Sequence, residues 1–479
     1  MAKMSQAAEN ADCGAGGGAS CVVLKFGGTS VEDSAAFRRV LGIVGERRDK
    51  PAVVVVSALA RVTDQLLAAG EHAAAGELVE AIEILRTIRE RHDRIARELI
   101  LGSQVTGFLS WLHEECEVLA RLLQGVTALG EFSPRTADRL VGAGEVLSSR
   151  LLAEALRGAG NDAVWVNARE CMITDEVYGC AAPLQEETNR RLRKLVLPVL
   201  EEGRVPVLGG FIAATTDGTP TTLGRGGSDF SAALVAAGLG AHALEIWTDV
   251  DGIMTADPRL CPDARLIPTI SFAEAAELAQ AGAKVLHPAT LLPATEKKIP
   301  VYVRNSRRPQ SRGTRIVPEG EQPEVRAITA KRGVVIVQAR LRRQGDVHTL
   351  GQILRACEGY NLELCSLSQR SAVLLTDSKQ AVRELERALQ DVAEIRGENH
   401  KAIVRVFGDR IGRRTPVVGQ IFRALSGIEV RLACPGEGER NLTLVVDEDQ
   451  AAESVRRLHS LFFPVTEEAV SHRSQAGVQ

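Results

Sequence analysis

The sequence predicts an α/β protein: a largely parallel sheet covered by helices on both faces, then two smaller α/β units. Three observations predict it. Short, nearly continuous apolar runs alternate with helix-length periodic segments, as strands buried on both faces require. Breakers and charges cluster at 307–313 and 318–323, which marks a boundary. Beyond it, one order of elements (strand, helix, strand, strand, helix) occurs twice.

The elements follow in order. Residues 1–20, rich in Ala and Gly, lack the apolar core of a signal peptide and read as a flexible tail. A strand at 21–25 runs into Phe26-Gly27-Gly28-Thr29-Ser30, and a helical stretch covers about 33–48. A second strand at 52–56 ends in Ser57-Ala-Leu-Ala-Arg61-Val-Thr63. Residues 64–157 are largely helical, and further strands are expected at 163–166, 205–208, 243–247 and 299–303. After the boundary, strands at 334–339, 362–367 and 372–376 accompany helices at 349–358 and 379–388. The second copy places strands at 402–407, 427–434 and 441–446 beside helices at 416–424 and 450–462. The expected domains are 21–315, 326–395 and 400–466, with a flexible C-terminal tail at 467–479. Two copies make a pair of modules and not a solenoid, which needs at least three.

Composition narrows the function. A length of 479 residues supports two to four domains. The net charge of −3 leaves no basic excess to neutralise phosphate chains, and 4% aromatic residues give few stacking platforms, so no nucleic-acid partner is expected. Nine cysteines, at 13, 21, 116, 171, 180, 261, 357, 365 and 434, form no C-x-x-C pair. That pattern fits reduced thiols in a cytoplasmic protein. His242, His287 and His400 have no partner at metal-ligand spacing, so no protein metal site is expected. No run of 18 apolar residues occurs, and no membrane span is expected.

The chemistry concentrates at 221–259. In Gly224-Arg225-Gly226-Gly227-Ser228-Asp229 the glycines let backbone N–H groups approach an anion, and Arg225 offers a planar fork for carboxylate or phosphate. A helix starting near Asp229 would aim its positive end at the same place. The alternative is a tight turn with a Ser or Asp cap. Thr248-Asp249-Val-Asp251-Gly252 ends a strand, where α/β sheets place ligands. Arg259 adds a cation nearby in sequence; a turn at 251–252 and an exposed loop at 255–259 are the alternatives. Lys25, at a strand end beside two glycines and two hydroxyls, suits phosphate oxygens, against a plain turn with a solvated lysine. It is not a P-loop, because G-x-x-x-x-G-K-[ST] is absent.

Taken together, KFGGTS at 25–30, SALARVT at 57–63, GE at 144–145, TTLGRGGSD at 221–229, WTDVDGIMTADPR at 247–259 and FAEAAELAQAGAKVLHP at 272–288 resemble the aspartate kinases of the amino acid kinase fold. The resemblance is close over about 22–315 and looser beyond. It implies a carbamate kinase-like three-layer sandwich followed by two ferredoxin-like ACT domains. Lys25 would hold the ATP phosphates and Gly27 and Gly28 would supply backbone donors. Arg225 would grip the α-carboxylate of L-aspartate and Glu145 its ammonium group. Ser57, Thr63 and Ser228 would line the amino-acid site, and Asp229 would orient Lys25. Thr248, Asp249, Arg259, Lys284 and Val285 would form the nucleotide site. Mg²⁺ would accompany ATP and offset the repulsion between carboxylate and triphosphate. The carboxylate is its own nucleophile, so no general base is required.

Some residues depart from the family pattern. Relatives usually carry Gly where Arg61 precedes Val62-Thr63, and a side chain there narrows the aspartate pocket or swings to solvent. Met254 replaces a common Tyr. Cys365 occupies the position of an Asp in lysine-sensitive relatives, and 343–349 lacks their glycine-aromatic pair, which implies weakened or altered lysine inhibition. The resemblance further implies homodimers through the ACT units and a place at the head of lysine, threonine and methionine synthesis. The chain ends soon after the second unit, so no fused homoserine dehydrogenase or decarboxylase is expected. Two other readings remain: a kinase for another acidic amino acid, and a non-catalytic amino-acid sensor.

Overall fold

The computed structural model describes residues 21–47, 50–281, 288–321, 323–342, 347–356, 362–368, 370–436 and 439–464. The tails at 1–20 and 467–479, and the nucleotide-site candidates Lys284 and Val285, lie outside the described residues. The chain divides into two compact units, Met1–Asp251 with Ala289–Pro318 and Gly252–Pro288 with Glu319–Gln479.

The first unit contains β1 (Val22–Phe26), α1 (Ser34–Gly45), β2 (Ala52–Val56), α2 (Val62–Ala74), α3 (Leu78–Leu99), α4 (Ser103–Leu129), α5 (Pro134–Val141) and α6 (Ala143–Gly158). It continues through β3 (Ala163–Trp165), α7 (Ala168–Cys171), α8 (Gln185–Leu195), α9 (Leu197–Glu201), β4 (Val205–Gly209), β5 (Ile212–Ala214), β6 (Pro220–Thr222), α10 (Gly227–Leu239) and β7 (Ala243–Thr248). After β8 (Thr269–Ser271) and α11 (Phe272–Gln280) of the second unit, α12 (Leu292–Glu296), β9 (Val301–Asn305) and β10 (Thr314–Val317) complete the first.

Seven of its strands lie in the order β3-β4-β2-β1-β7-β9-β10, and β5 and β6 form a separate antiparallel pair. Within the seven, all neighbours are parallel except β9 and β10. Every residue of β1 and β2 is buried, which is why both read as unbroken apolar runs and not as alternating ones. Leu24, Phe26, Val54 and Val56 join Phe37 of α1, Leu66 of α2 and Leu147 of α6 in one core. Lys25 is the exception, a buried cation in the middle of the sheet. Its register partners are Val55 on β2 and Ile246 on β7, so the carboxyl ends of three parallel strands converge just beyond it.

The second unit continues with β11 (Ala327–Leu341), α13 (Val347–Ala356), β12 (Leu362–Leu367), β13 (Ser371–Thr376), α14 (Lys379–Ala388) and β14 (Ala393–Phe407). It ends with α15 (Thr415–Ala424), β15 (Leu432–Pro435), β16 (Asn441–Asp447) and α16 (Ala451–Phe462). The antiparallel order is β12-β13-β11-β14-β16-β15. β11 and β14 are 15 residues each, far longer than the strands read at 334–339 and 402–407. They pair along their lengths with register shifts between Lys331 and Ile336. The early half of β11 pairs with the late half of β14, beside β16, and the late half of β11 runs between β13 and the early half of β14. The two repeats are therefore interlocked: each lends a strand segment to the other. Alternation sorts the faces. Val335, Val337, Ala339 and Leu341 enter the cluster that holds Ile353 of α13 and Leu385 of α14, while Val334 and Ile336 face the other side.

Candidate active site

Three hydrogen bonds carry the parallel ladder one residue past the strands. Gly27 N–H donates to the Trp247 carbonyl at 3.1 Å, Ser57 N–H to Phe26 at 3.0 Å, and Gly210 N–H to Val56 at 2.9 Å. The loops after β1, β2, β4 and β7 thus open at one edge, the place where open α/β sheets bind ligands. The Gly27 N–H is used in this ladder, so that glycine supplies room and not a free donor. A Cβ on Gly27 would stand 3.6 Å from Lys25 Nζ, and one on Gly28 would stand 3.0 Å from the Ala58 carbonyl.

Lys25 Nζ lies 2.6 Å from Asp229 Oδ1, with both side chains mostly buried. Asp229 sits in the first turn of α10, which starts at Gly227, two residues earlier than the sequence reading placed it. Gly224 and Gly226 have φ of +72° and +75°, conformations that a Cβ disfavours. The loop bonds partly to itself: Gly227 N–H donates to the Gly224 carbonyl and Asp229 N–H to that of Gly226. Arg225, between the glycines, is exposed. Ser228 is half-buried and abuts Gly210, where a Cβ would come within 2.8 Å of its Cα and Cβ.

Glu145 is the buried carboxyl group of the site, 3% exposed in the first turn of α6. One carboxylate oxygen accepts from the Ala58 N–H at 3.2 Å, and Oε2 has no partner among the described residues. Burial pushes its pKa up to about 8, against the pull of the Ala58 N–H, its own N–H and the Arg169 guanidinium. Gly144 explains the Gly-Glu pair: a Cβ there would stand 2.9 Å from that of Ala58 and 3.1 Å from Val62 Cγ1, so only glycine lets α6 approach this loop. Gly209 serves the other side, where a Cβ would lie 3.0 Å from the Glu145 carbonyl. Ser57 anchors the loop through its carbonyl, which accepts from Ser148 Oγ at 2.8 Å. Thr63, half-buried, is the second residue of α2.

Arg61 has φ of +71° and an exposed side chain. Of the two outcomes foreseen for it, the structure takes the outward one. Thr248 ends β7; its carbonyl accepts from Ser306 N–H and Oγ, and its hydroxyl lies 3.3 Å from exposed Asp249. Asp251 is engaged by Asn305 at 2.7 Å and by Arg308. Arg259 belongs to the second unit, where Asp257 holds its exposed guanidinium at 2.7 Å. The structure thus gathers Lys25, Gly27, Gly28, Ser57, Thr63, Glu145, Ser228, Asp229 and Thr248 around the strand ends of the first unit. Sequence reasoning missed Gly209-Gly210, although two glycines directly after a buried strand repeat the signal that marked Gly27-Gly28.

Comparison with known proteins fits this arrangement. Residues 20–305 match the model of the amino acid kinase family, and residues 404–462 match an ACT domain. The chain is 34% identical over 467 residues to the lysine-sensitive aspartokinase 3 of Escherichia coli, covering 92% of this chain and 99% of that protein. It resembles the crystal structure of E. coli aspartokinase III with aspartate and ADP at 33% identity and a TM-score of 0.78, covering 92% of this chain and all of that one. The complex of that enzyme with lysine and aspartate gives 34% identity and a TM-score of 0.80, over 93% of this chain and all of that one. A chain with this strand-end site and these relatives along nearly its whole length belongs to the amino acid kinase family, on its aspartokinase branch.

Proposed function

We propose that this chain is an ATP-dependent aspartate kinase, which transfers the γ-phosphoryl group of ATP to the β-carboxylate of L-aspartate and yields 4-phospho-L-aspartate and ADP. The observation that carries the reading is the Lys25–Asp229 ion pair at the convergence of the strand ends, beside a buried Glu145 with one unpartnered oxygen. An anionic acceptor and a triphosphate repel each other, and Lys25 offsets that repulsion as charge develops on the transferring group. Asp229 fixes the ammonium of Lys25 in place at 2.6 Å. Glu145 offers its free oxygen to the substrate ammonium, Arg225 its fork to the α-carboxylate, and Ser57, Thr63 and Ser228 line the pocket. Because the acceptor carboxylate is ionised at neutral pH, positioning and charge stabilisation suffice.

The residues present suit a polyphosphate: Lys25 is the cation, and the space a Cβ on Gly27 would occupy is left open beside it. Thr248, Asp249, Arg259, Lys284 and Val285 complete the nucleotide site in this reading. Mg²⁺, arriving with the nucleotide, would supply further charge neutralisation. We assign catalysis to 21–315 and regulation to ACT modules at 326–395 and 400–466, acting in a homodimer or higher homo-oligomer in the cytoplasm. The product feeds lysine, threonine and methionine synthesis, with diaminopimelate on the lysine branch.

A substrate panel read by ADP release tests the assignment. L-Aspartate should support turnover at least a hundredfold faster than L-glutamate or N-acetyl-L-glutamate. Preference for either alternative, or no turnover with any acid, would overturn it.

A further inference from the structure

Four of the described cysteines, Cys21, Cys116, Cys171 and Cys261, are buried, and Cys180 is exposed. The remaining two, Cys365 and Cys434, are half-accessible and lie together. Cys365 is on β12 and Cys434 on β15, the strands at opposite ends of the six-strand order. Both nevertheless line one cavity of about 490 Å³, with Glu363, Arg405 and Asn441. Each thiol is the largest influence on the protonation of the other. Edges that far apart in pairing order meet only if the sheet folds over on one face. That face is the small apolar cluster of Val334, Ile336, Leu375, Ile403 and Val445, against which Cys365 and Leu432 pack. Arg405 of β14 holds the fold from within, pairing with Glu363 of β12 and donating to Thr443 of β16 at 3.1 Å.

The two sulfurs are chemically unequal. The Cys365 thiol donates to the Glu363 carbonyl at 3.8 Å. The neighbouring Cys434 and burial push its pKa up, while Cys365 beside it holds the Cys434 thiol below its ordinary range against the effect of burial. The Glu363 carboxylate disfavours thiolate at both, and the Arg405 guanidinium paired with it favours thiolate at both. Cys434 is therefore the more acidic of the two, and Cys365 lines the same cavity as the thiol that can resolve whatever Cys434 binds. Among the described residues β12 pairs only with β13 and β15 only with β16, so each is an edge strand of the sheet.

We propose that Cys365 and Cys434 are a redox site that forms a reversible disulfide, joining the two ends of the folded sheet, by exchange with a low-molecular-weight disulfide. The Cys434 thiolate attacks one sulfur of that disulfide, expels one thiolate and becomes a mixed disulfide. Cys365 then attacks the Cys434 sulfur, its proton passing to the departing thiolate, and the second small thiol leaves. Two protein thiols are oxidised by two electrons, and one small disulfide is reduced to two thiols. The bond ties the edge of the first repeat to the edge of the second, and thereby locks the interlocked sheet. The inference rests on the second unit alone and stands apart from the reading of the catalytic site.

Full-length protein incubated with oxidised glutathione, then alkylated and digested for mass spectrometry, provides the test. Expected is the loss of two alkylatable thiols, recovered with dithiothreitol, and a peptide pair linked through Cys365 and Cys434. In Cys365→Ser the resolving thiol is gone, and glutathione should stay attached at Cys434. Glutathione on Cys180 alone, linkage of Cys434 to any other cysteine, or no stable adduct at Cys434 in Cys365→Ser would overturn the proposal.

Discussion

Glu145 concentrates the chemistry of the site at the scale of one residue. A carboxyl group with its pKa at about 8 is largely neutral at physiological pH, and only its ionised form can pair with a substrate ammonium. In the proposed role, aspartate binding therefore draws the proton off. On the acid side the KM for aspartate should fall about tenfold per pH unit and level off above pH about 8. Glu145→Gln should raise KM about a hundredfold and remove that slope. A pH-independent wild-type KM between pH 6 and pH 8 would contradict the role. The linkage runs the other way for the unliganded fold. A carboxyl whose folded pKa is raised contributes stability below its unfolded value and loses it as pH rises through about 8. Nothing in the residue pattern reveals this, because a Glu in a small-residue helix is usually solvated. Only the resemblance pointed to Glu145; the burial and the half-used hydrogen-bonding capacity needed three dimensions.

At the scale of elements, the turn between β2 and α2 shows how a departure from the family pattern is accommodated. Arg61 takes a left-handed conformation, which costs a non-glycine residue about 1 kcal/mol. Its exposed side chain stands where the Arg91 guanidinium feels its charge, while Arg91 itself donates to the Ala60 carbonyl at 2.7 Å and the Glu32 carbonyl at 2.6 Å. Arg61→Gly should therefore stabilise the fold by about 1 kcal/mol in urea unfolding, with aspartate KM changed less than twofold. A destabilised variant, or a much lower KM, would show that the side chain contributes inside the pocket. The left-handed backbone was invisible in the sequence, although the usual glycine there hinted at it. Buried strands such as β1, β2 and β7 were legible because the apolar run leaves no other fate. The hairpin β5–β6 was not, since two three-residue strands with Thr and Pro give no period. The early half of β11 was also missed, because Lys331 and Arg332 interrupt its apolar alternation.

At the scale of the molecule, the second unit holds an interlocked sheet whose two repeats share its two longest strands. Sequence periodicity showed two copies but not their interlocking, because long-range pairing leaves no local mark. If Cys365 occupies the position of the Asp that lysine-sensitive relatives carry, as the resemblance implies, inhibition by lysine should be at least tenfold weaker than in those relatives. Activity titrated with lysine and with threonine checks this, and strong inhibition at submillimolar lysine would contradict it.

In the proposed reaction Lys25, held by Asp229, carries phosphoryl transfer to aspartate. Trapping the acyl phosphate as its hydroxamate, with L-aspartate, MgATP and hydroxylamine, tests it most directly. The wild-type protein should form aspartyl hydroxamate, and Lys25→Ala should lower kcat by about a thousandfold while the fold melts near its wild-type temperature. Wild-type protein that forms no hydroxamate would rule out the aspartate kinase reaction, and a Lys25→Ala variant that forms it at a near-wild-type rate would rule out the role of Lys25.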